Sequence, residues 1–114
     1  METESVIDIT VFQRVDMRVG RIVDVTPFPE ARKPSYKLTI DFGPLGCKRS
    51  SAALRQWYEP EELVGRLVIA VVNLPVRHVA GFPSEVLVLG AIRPDGQVVL
   101  LQPDRDVELG SPIA

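Results

Sequence analysis

Between Val15 and Val25 the chain reads Val-Asp-Met-Arg-Val-Gly-Arg-Ile-Val-Asp-Val. Apolar side chains fall on Val15, Met17, Val19, Val23 and Val25, which predicts a strand with one buried face. The alternation faults at Gly20-Arg21-Ile22, where Arg21 takes the apolar parity and Ile22 the polar one. A glycine inside a strand marks a bulge or a sharp bend. The pattern therefore predicts one long strand, bent in the middle and able to pair in two directions. A small closed barrel needs such a strand to turn a corner between sheets.

The same reading carried along the chain gives the other elements. Ile7, Ile9 and Phe12 predict a short helix ahead of the strand, capped by Asp8 or Thr10 and suited to plugging one barrel end. Pro27, Pro29 and Pro34 stiffen a loop that displays Arg32 and Lys33. Tyr36, Leu38, Ile40 and Phe42 alternate with Lys37, Thr39 and Asp41, a half-buried strand. Gly43-Pro44-Leu45-Gly46 turns it into a short antiparallel partner, Cys47–Ser50, which brings Lys48 and Arg49 near Lys37. A helical face follows over Ala52–Tyr58, capped by Ser50 or Ser51. Glu59–Leu63 reads as a second helical turn, with Pro near its first position and acids at its positive end.

Leu67–Val72 and Val86–Ile92 are aliphatic runs of strand length, separated by a loop over Val76–Pro83. Pro94-Asp95-Gly96 turns the second run into Val98–Leu101, a hairpin. The order is three strands, helix, two strands, then a hairpin extension. That predicts an all-β fold: a five-stranded OB-fold barrel with short helices and a C-terminal hairpin extension. The two runs exceed what one small barrel must cover, so either a homodimer buries an outer barrel face or one run is a core strand.

At 114 residues, with 46% apolar and 25% charged positions, residues 1–114 read as one globular domain. No apolar run is long enough for membrane insertion, and Met-Glu-Thr-Glu-Ser is acidic where a signal peptide is basic. Cys47 is the one cysteine, so an intrachain disulfide is excluded, and the expected location is cytoplasmic.

Charge changes the picture more. The net charge is -2, yet Phe12–Trp57 holds nine bases and four acids, against net -3 before it and net -4 after it. Such asymmetry suggests a polyanion-facing surface on an acidic body, the plain alternative being scattered solvated side chains. Catalytic and metal chemistry find little support. A lone His78 and a lone Cys47 cannot make a zinc cluster. No nucleophile elbow surrounds Ser50, and no glycine-rich phosphate loop occurs. No cofactor is expected, and no enzyme.

The expected RNA-binding residues are Arg32, Lys33, Lys37, Lys48, Arg49, Arg55 and Arg77, whose cations would neutralise phosphates, with Asn73 and Ser84 adding hydrogen bonds. Turn chemistry is the plainer role for Asn73 and Ser84. Of Phe28, Tyr36, Trp57, Tyr58 and Phe82, most belong in a core, so recognition would lean on shape and charge rather than on base stacking.

Several strings carry a resemblance: Val15–Val25, Tyr36–Phe42, Tyr58–Arg66 and Val71-Val72-Asn73-Leu74-Pro75. Together they resemble the EMAP II-like tRNA-binding domain family. Pro27–Pro34, Lys48–Ala52 and Ser84–Gly90 are closer to its small stand-alone members, described as secretion chaperones. The resemblance implies an OB-fold homodimer whose partners are tRNA and unfolded or precursor polypeptides, the latter held in an apolar pocket between subunits. Asn73 and Ser84 stand at the family's Asn-Leu and Ser motifs, whereas Val86-Leu87 replaces a common Gly-Met pair.

Overall fold

Strand β1, Met17–Pro27, is shared between two partners. Its first half pairs with β4, Leu67–Val71, from Met17↔Val71 to Arg21↔Leu67. Its second half pairs with β2, Tyr36–Asp41, from Arg21↔Asp41 to Pro27↔Tyr36. Arg21 is the hinge, opposite a residue of each neighbour. The computed structural model describes residues 5–114, so Glu2 and Glu4 of the acidic start lie outside the described residues.

Gly20 is the reason that the bend can form. A methyl group added there would meet Ile40 Cγ2 at 2.6 Å and Phe42 Cε1 at 2.7 Å. The chain therefore crosses the core at closest approach where it lacks a side chain. Beyond the bend, Ile22 points inward and is fully buried. The expectation that Val23 faces the core is corrected. The register slips between Ile22 and Asp24, so Val23 is the extra residue of a bulge and is 44% exposed.

β2 follows its alternation residue by residue, with Tyr36, Leu38 and Ile40 buried and Lys37, Thr39 and Asp41 on the outer face. β3, Cys47–Ala52, pairs with it throughout. β7, Leu87–Val88, adds to β4, giving the sheet order β3-β2-β1-β4-β7. The sheet curls until β3 meets the chain just before β7, and the join is made largely by side chains. Arg49 N donates to Glu85 Oε1 (2.9 Å), Ser51 N donates to Ser84 Oγ (2.9 Å), and Ser50 Oγ donates to Val86 O (2.9 Å). One backbone bond, Glu85 N to Arg49 O at 2.8 Å, completes it. The result is a nearly closed five-stranded antiparallel barrel of the OB type, with the hairpin β8–β9 (Gly90–Ile92, Val98–Leu100) as the C-terminal extension.

The core holds Ile22, Tyr36, Leu38, Ile40, Phe42, Leu54, Leu63, Val68, Ala70, Val86 and Leu100. Tyr36 Oη donates to the Tyr58 carbonyl (2.7 Å), so its burial leaves no unmet polar atom. That burial, aided by the nearby Glu59 carboxylate, pushes the Tyr36 phenol above its usual range. The C-terminal tail lies along the first half of β1 on the side that β2 leaves open: Gly110 N bonds Val19 O, and Ile113 N bonds Met17 O.

Four other expectations are corrected. Ala52–Tyr58 is not a helix: Ala52 ends β3, and Leu54–Tyr58 forms a turn closed by Tyr58 N to Leu54 O. Ser50 and Ser51 serve the barrel join instead of capping. The loop over Val76–Pro83 contains a hairpin, β5 (Arg77–Val79) with β6 (Phe82–Ser84), turned by Ala80 and Gly81 with φ of 46° and 83°. Two successive positive φ values make the tight turn that matches strand twist. The short helix α1, Ile9–Gln13, forms on its Asp8 cap but plugs nothing, having no buried residue. By contrast α2, Pro60–Leu63, has the expected Pro start and a Glu59–Glu62 capping box.

Leu67, Val68, Ala70 and Val71 are all buried within this chain, so that aliphatic run needs no partner to cover it. Cys47, the first residue of β3, is exposed. No helix among the described residues is long and apolar enough to cross a membrane.

Candidate nucleic-acid interface

The outer faces of β2 and β3 form a platform. Antiparallel pairing sets Lys37 opposite Ser51 and Thr39 opposite Arg49, and partners in such a pair share a face. The hairpin β5–β6 packs beside β3 and brings Phe82 over this platform. Lys37 Nζ sits 4.7 Å from the Phe28 ring centre and 5.3 Å from that of Phe82. Arg49 Cζ sits 5.8 Å from Phe82. The two rings meet edge to face, 5.6 Å apart and inclined at 67°.

Next to this platform, an open cleft of about 750 Å³ runs between the β1–β2 loop and the hairpin. Arg32 and Lys33 stand on one wall, Arg77 and His78 on the other, with Ser35 and Ser51 between them. Five of the expected cations thus share one region: Arg32, Lys33 and Arg77 in the cleft, Lys37 and Arg49 on the platform. The local chain explains why. Prolines keep the loop out of the sheet, and the tight Ala80–Gly81 turn pairs Arg77 with Ser84, whose hydroxyl meets Ser51 of β3.

The remaining expected residues are placed differently. Lys48 is opposite Ile40, on the parity of buried Ser50, and so alternates away from Lys37 and Arg49. This corrects the expectation that it joins them. Arg55 lies in the turn after β3, with its amide bonded to the Pro34 carbonyl. Asn73 staples the end of β4 to the N-terminal segment: its Oδ1 accepts from Asp16 N (2.9 Å) and its Nδ2 donates to Arg14 O (2.7 Å). Ser84 is 5% exposed, and its hydroxyl accepts from Ser51 N.

Glu85 went unnoticed in the sequence. Its carboxylate accepts from the Arg49 amide and lies 3.7 Å from Arg49 Nε. With both side chains substantially exposed, such a pair is worth about 1 kcal/mol at most, so Arg49 remains open to a stronger anion. No spacing rule marks Glu85, because its role depends on barrel closure. The pairing of Phe28 and Phe82 with Lys37 was equally hidden, since it needs the hairpin that the sequence presents as a loop.

The class that the fold and site define is a small five-stranded barrel with cations gathered on one outer face. The family follows from comparison. Residues 17–112 match the model described as "Putative tRNA binding domain", and the chain belongs to that family. The solved chaperone CsaA from Bacillus anthracis is 45% identical, with a TM-score of 0.92, covering 96% of this chain and 100% of that one. The CsaA chaperone protein of Picrophilus torridus is 50% identical, with a TM-score of 0.90 and the same coverage. A methionine–tRNA ligase of Methanocaldococcus jannaschii is 35% identical over 107 residues, 94% of this chain. The chain spans only 16% of that ligase's length. The likeness is thus to a small part of that ligase.

Proposed function

We propose that the chain binds tRNA, without catalysis, through the cleft of Arg32, Lys33 and Arg77 and the adjoining platform of Lys37 and Arg49. The observation that carries this reading is the convergence of these five side chains from three separate stretches of sequence onto one outer face. Cations so grouped neutralise successive phosphates and release condensed counterions, which makes affinity fall with salt. The family match gives the RNA class. Ser84 supports the face through its bond from Ser51 N, and Arg55 flanks it beside Pro34, whereas Asn73 holds the N-terminal segment to the end of β4.

The test is filter binding of unfractionated tRNA across a salt series. Affinity should fall steeply, with a log–log slope of about -3 to -5 if most of the five cations meet phosphates. Absence of binding at low salt, or a flat profile, sinks the reading.

A second reading has its own observation. Leu74, Leu87 and Ile92 are 46%, 46% and 77% exposed and line adjoining grooves between the hairpin, β7 and the C-terminal extension. We propose that this apolar strip mediates a homodimer and receives unfolded or precursor polypeptides, in line with the chaperones that the chain resembles. Leu87→Asp should then give a monomer in sedimentation and remove suppression of aggregation by an unfolded test protein. A monomer that suppresses aggregation as well as the original chain excludes the strip as the active surface.

A further inference from the structure

Lys37 makes no ion pair among the described residues; its partners are the rings of Phe28 and Phe82. The distinction matters. A carboxylate would fix a lysine but cancel its charge, whereas an aromatic face fixes it through the ring quadrupole and leaves the charge whole. Phe28 is 1% exposed, so its ring is held in place by the packing around it, and its backbone is tied to Ser35 O by Phe28 N (3.0 Å). Phe82 leans edge to face against it and carries a second cation, Arg49, within 5.8 Å. Two cations thus share one ring, Arg49 with the exposed Glu85 carboxylate beside it and Lys37 with no carboxylate partner among the described residues.

Resting on the tRNA reading above, we infer that the Phe28–Phe82 pair is a cation-setting device, and that Phe82 is a positioning residue that acts on RNA through Lys37. A lysine on a bare strand face samples many rotamers, and a phosphate that binds it must freeze them. Here the freezing precedes binding. Phe82 thus contributes to affinity without being a stacking platform for a base.

Two measurements test this. In the protein without RNA, the Lys37 ε-methylene protons should resonate upfield of those of Lys33 and Lys48, and Phe82→Leu should reduce the difference while leaving the part due to Phe28. Lys37 resonating with the other two lysines overturns the inference. In filter binding, Phe82→Leu should weaken tRNA binding on the order of fivefold with an unchanged salt slope, and Phe82→Tyr should restore it to within about twofold. In a Lys37→Met background the same leucine change should have little further effect. A loss that persists undiminished without Lys37 indicates direct stacking, an effect through Arg49 or a folding defect and overturns the inference, as does no loss at all. Failure of the unaltered chain to bind tRNA overturns the RNA reading itself; the Lys37 shift, read without RNA, tells the two failures apart.

Discussion

Gly20→Val is expected to destabilise the chain by roughly 3 kcal/mol or more, among the largest losses that a single overpacking substitution produces. The first added carbon alone would approach Ile40 and Phe42 at 2.6 and 2.7 Å, and both neighbours are fully buried. Neither is a flexible side-chain end that can swing into solvent. The strand cannot back away either, because Val19 is held by Gly110 and Ser111 on one side while Gly20 is paired with Val68 on the other. Gly20→Ala should lose less, so the series Gly, Ala, Val gives a graded fall. Urea denaturation measures it; a valine variant within about 0.5 kcal/mol of the original would mean that the core can yield at the bend.

Removing the cleft's charge should have the largest effect on binding. In the triple variant Arg32→Ala, Lys33→Ala, Arg77→Ala, tRNA affinity near 0.1 M salt should fall on the order of a hundredfold or more, and the salt slope should flatten by about two to three. All three side chains are exposed and leave the core untouched, so thermal stability should stay close to that of the original chain. The matching control is Arg93→Ala with Arg105→Ala, two exposed cations in the acidic C-terminal third. These lower the overall positive charge at sites outside the cleft. Equal losses in both variants would show that bulk charge, not the cleft, governs binding.

Elements that depend on local pattern could be read from the sequence. The alternation of Tyr36–Asp41, the Pro-led turn at Pro60 and the interruption at Gly20 each express a constraint met within a few residues. Where the outcome depends on distant chain, the sequence misled or was silent. Ala53, Leu54, Trp57 and Tyr58 share a helical face, but β3 runs on through Ala52 because Tyr36 pairs with it. Val23 keeps apolar parity, yet the bulge that lets β1 change partners turns it outward. The site shows the same division. Arg32 and Lys33 were legible as displayed by a proline-bound loop. Lys48 beside Lys37 was not excluded until cross-strand register put them on opposite faces. Phe82's place above Lys37 depends on a hairpin turned at Ala80–Gly81, which lacks the usual Asn-Gly signal.

The seam between β3 and residues 84–86 has a consequence for the width of the cleft. Where two strands share a full ladder, main-chain geometry fixes their separation. Here a single backbone bond, Glu85 N to Arg49 O, is flanked by bonds made through two serines and one glutamate, so side chains share in setting the span. Ser51, on the floor of the cleft, lies on the β3 side of that seam, and Arg77, on one wall, is paired with Ser84 on the other side. Side-chain length at positions 50, 84 and 85 therefore bears on where the hairpin wall stands relative to β3, apart from the charges that line the cleft.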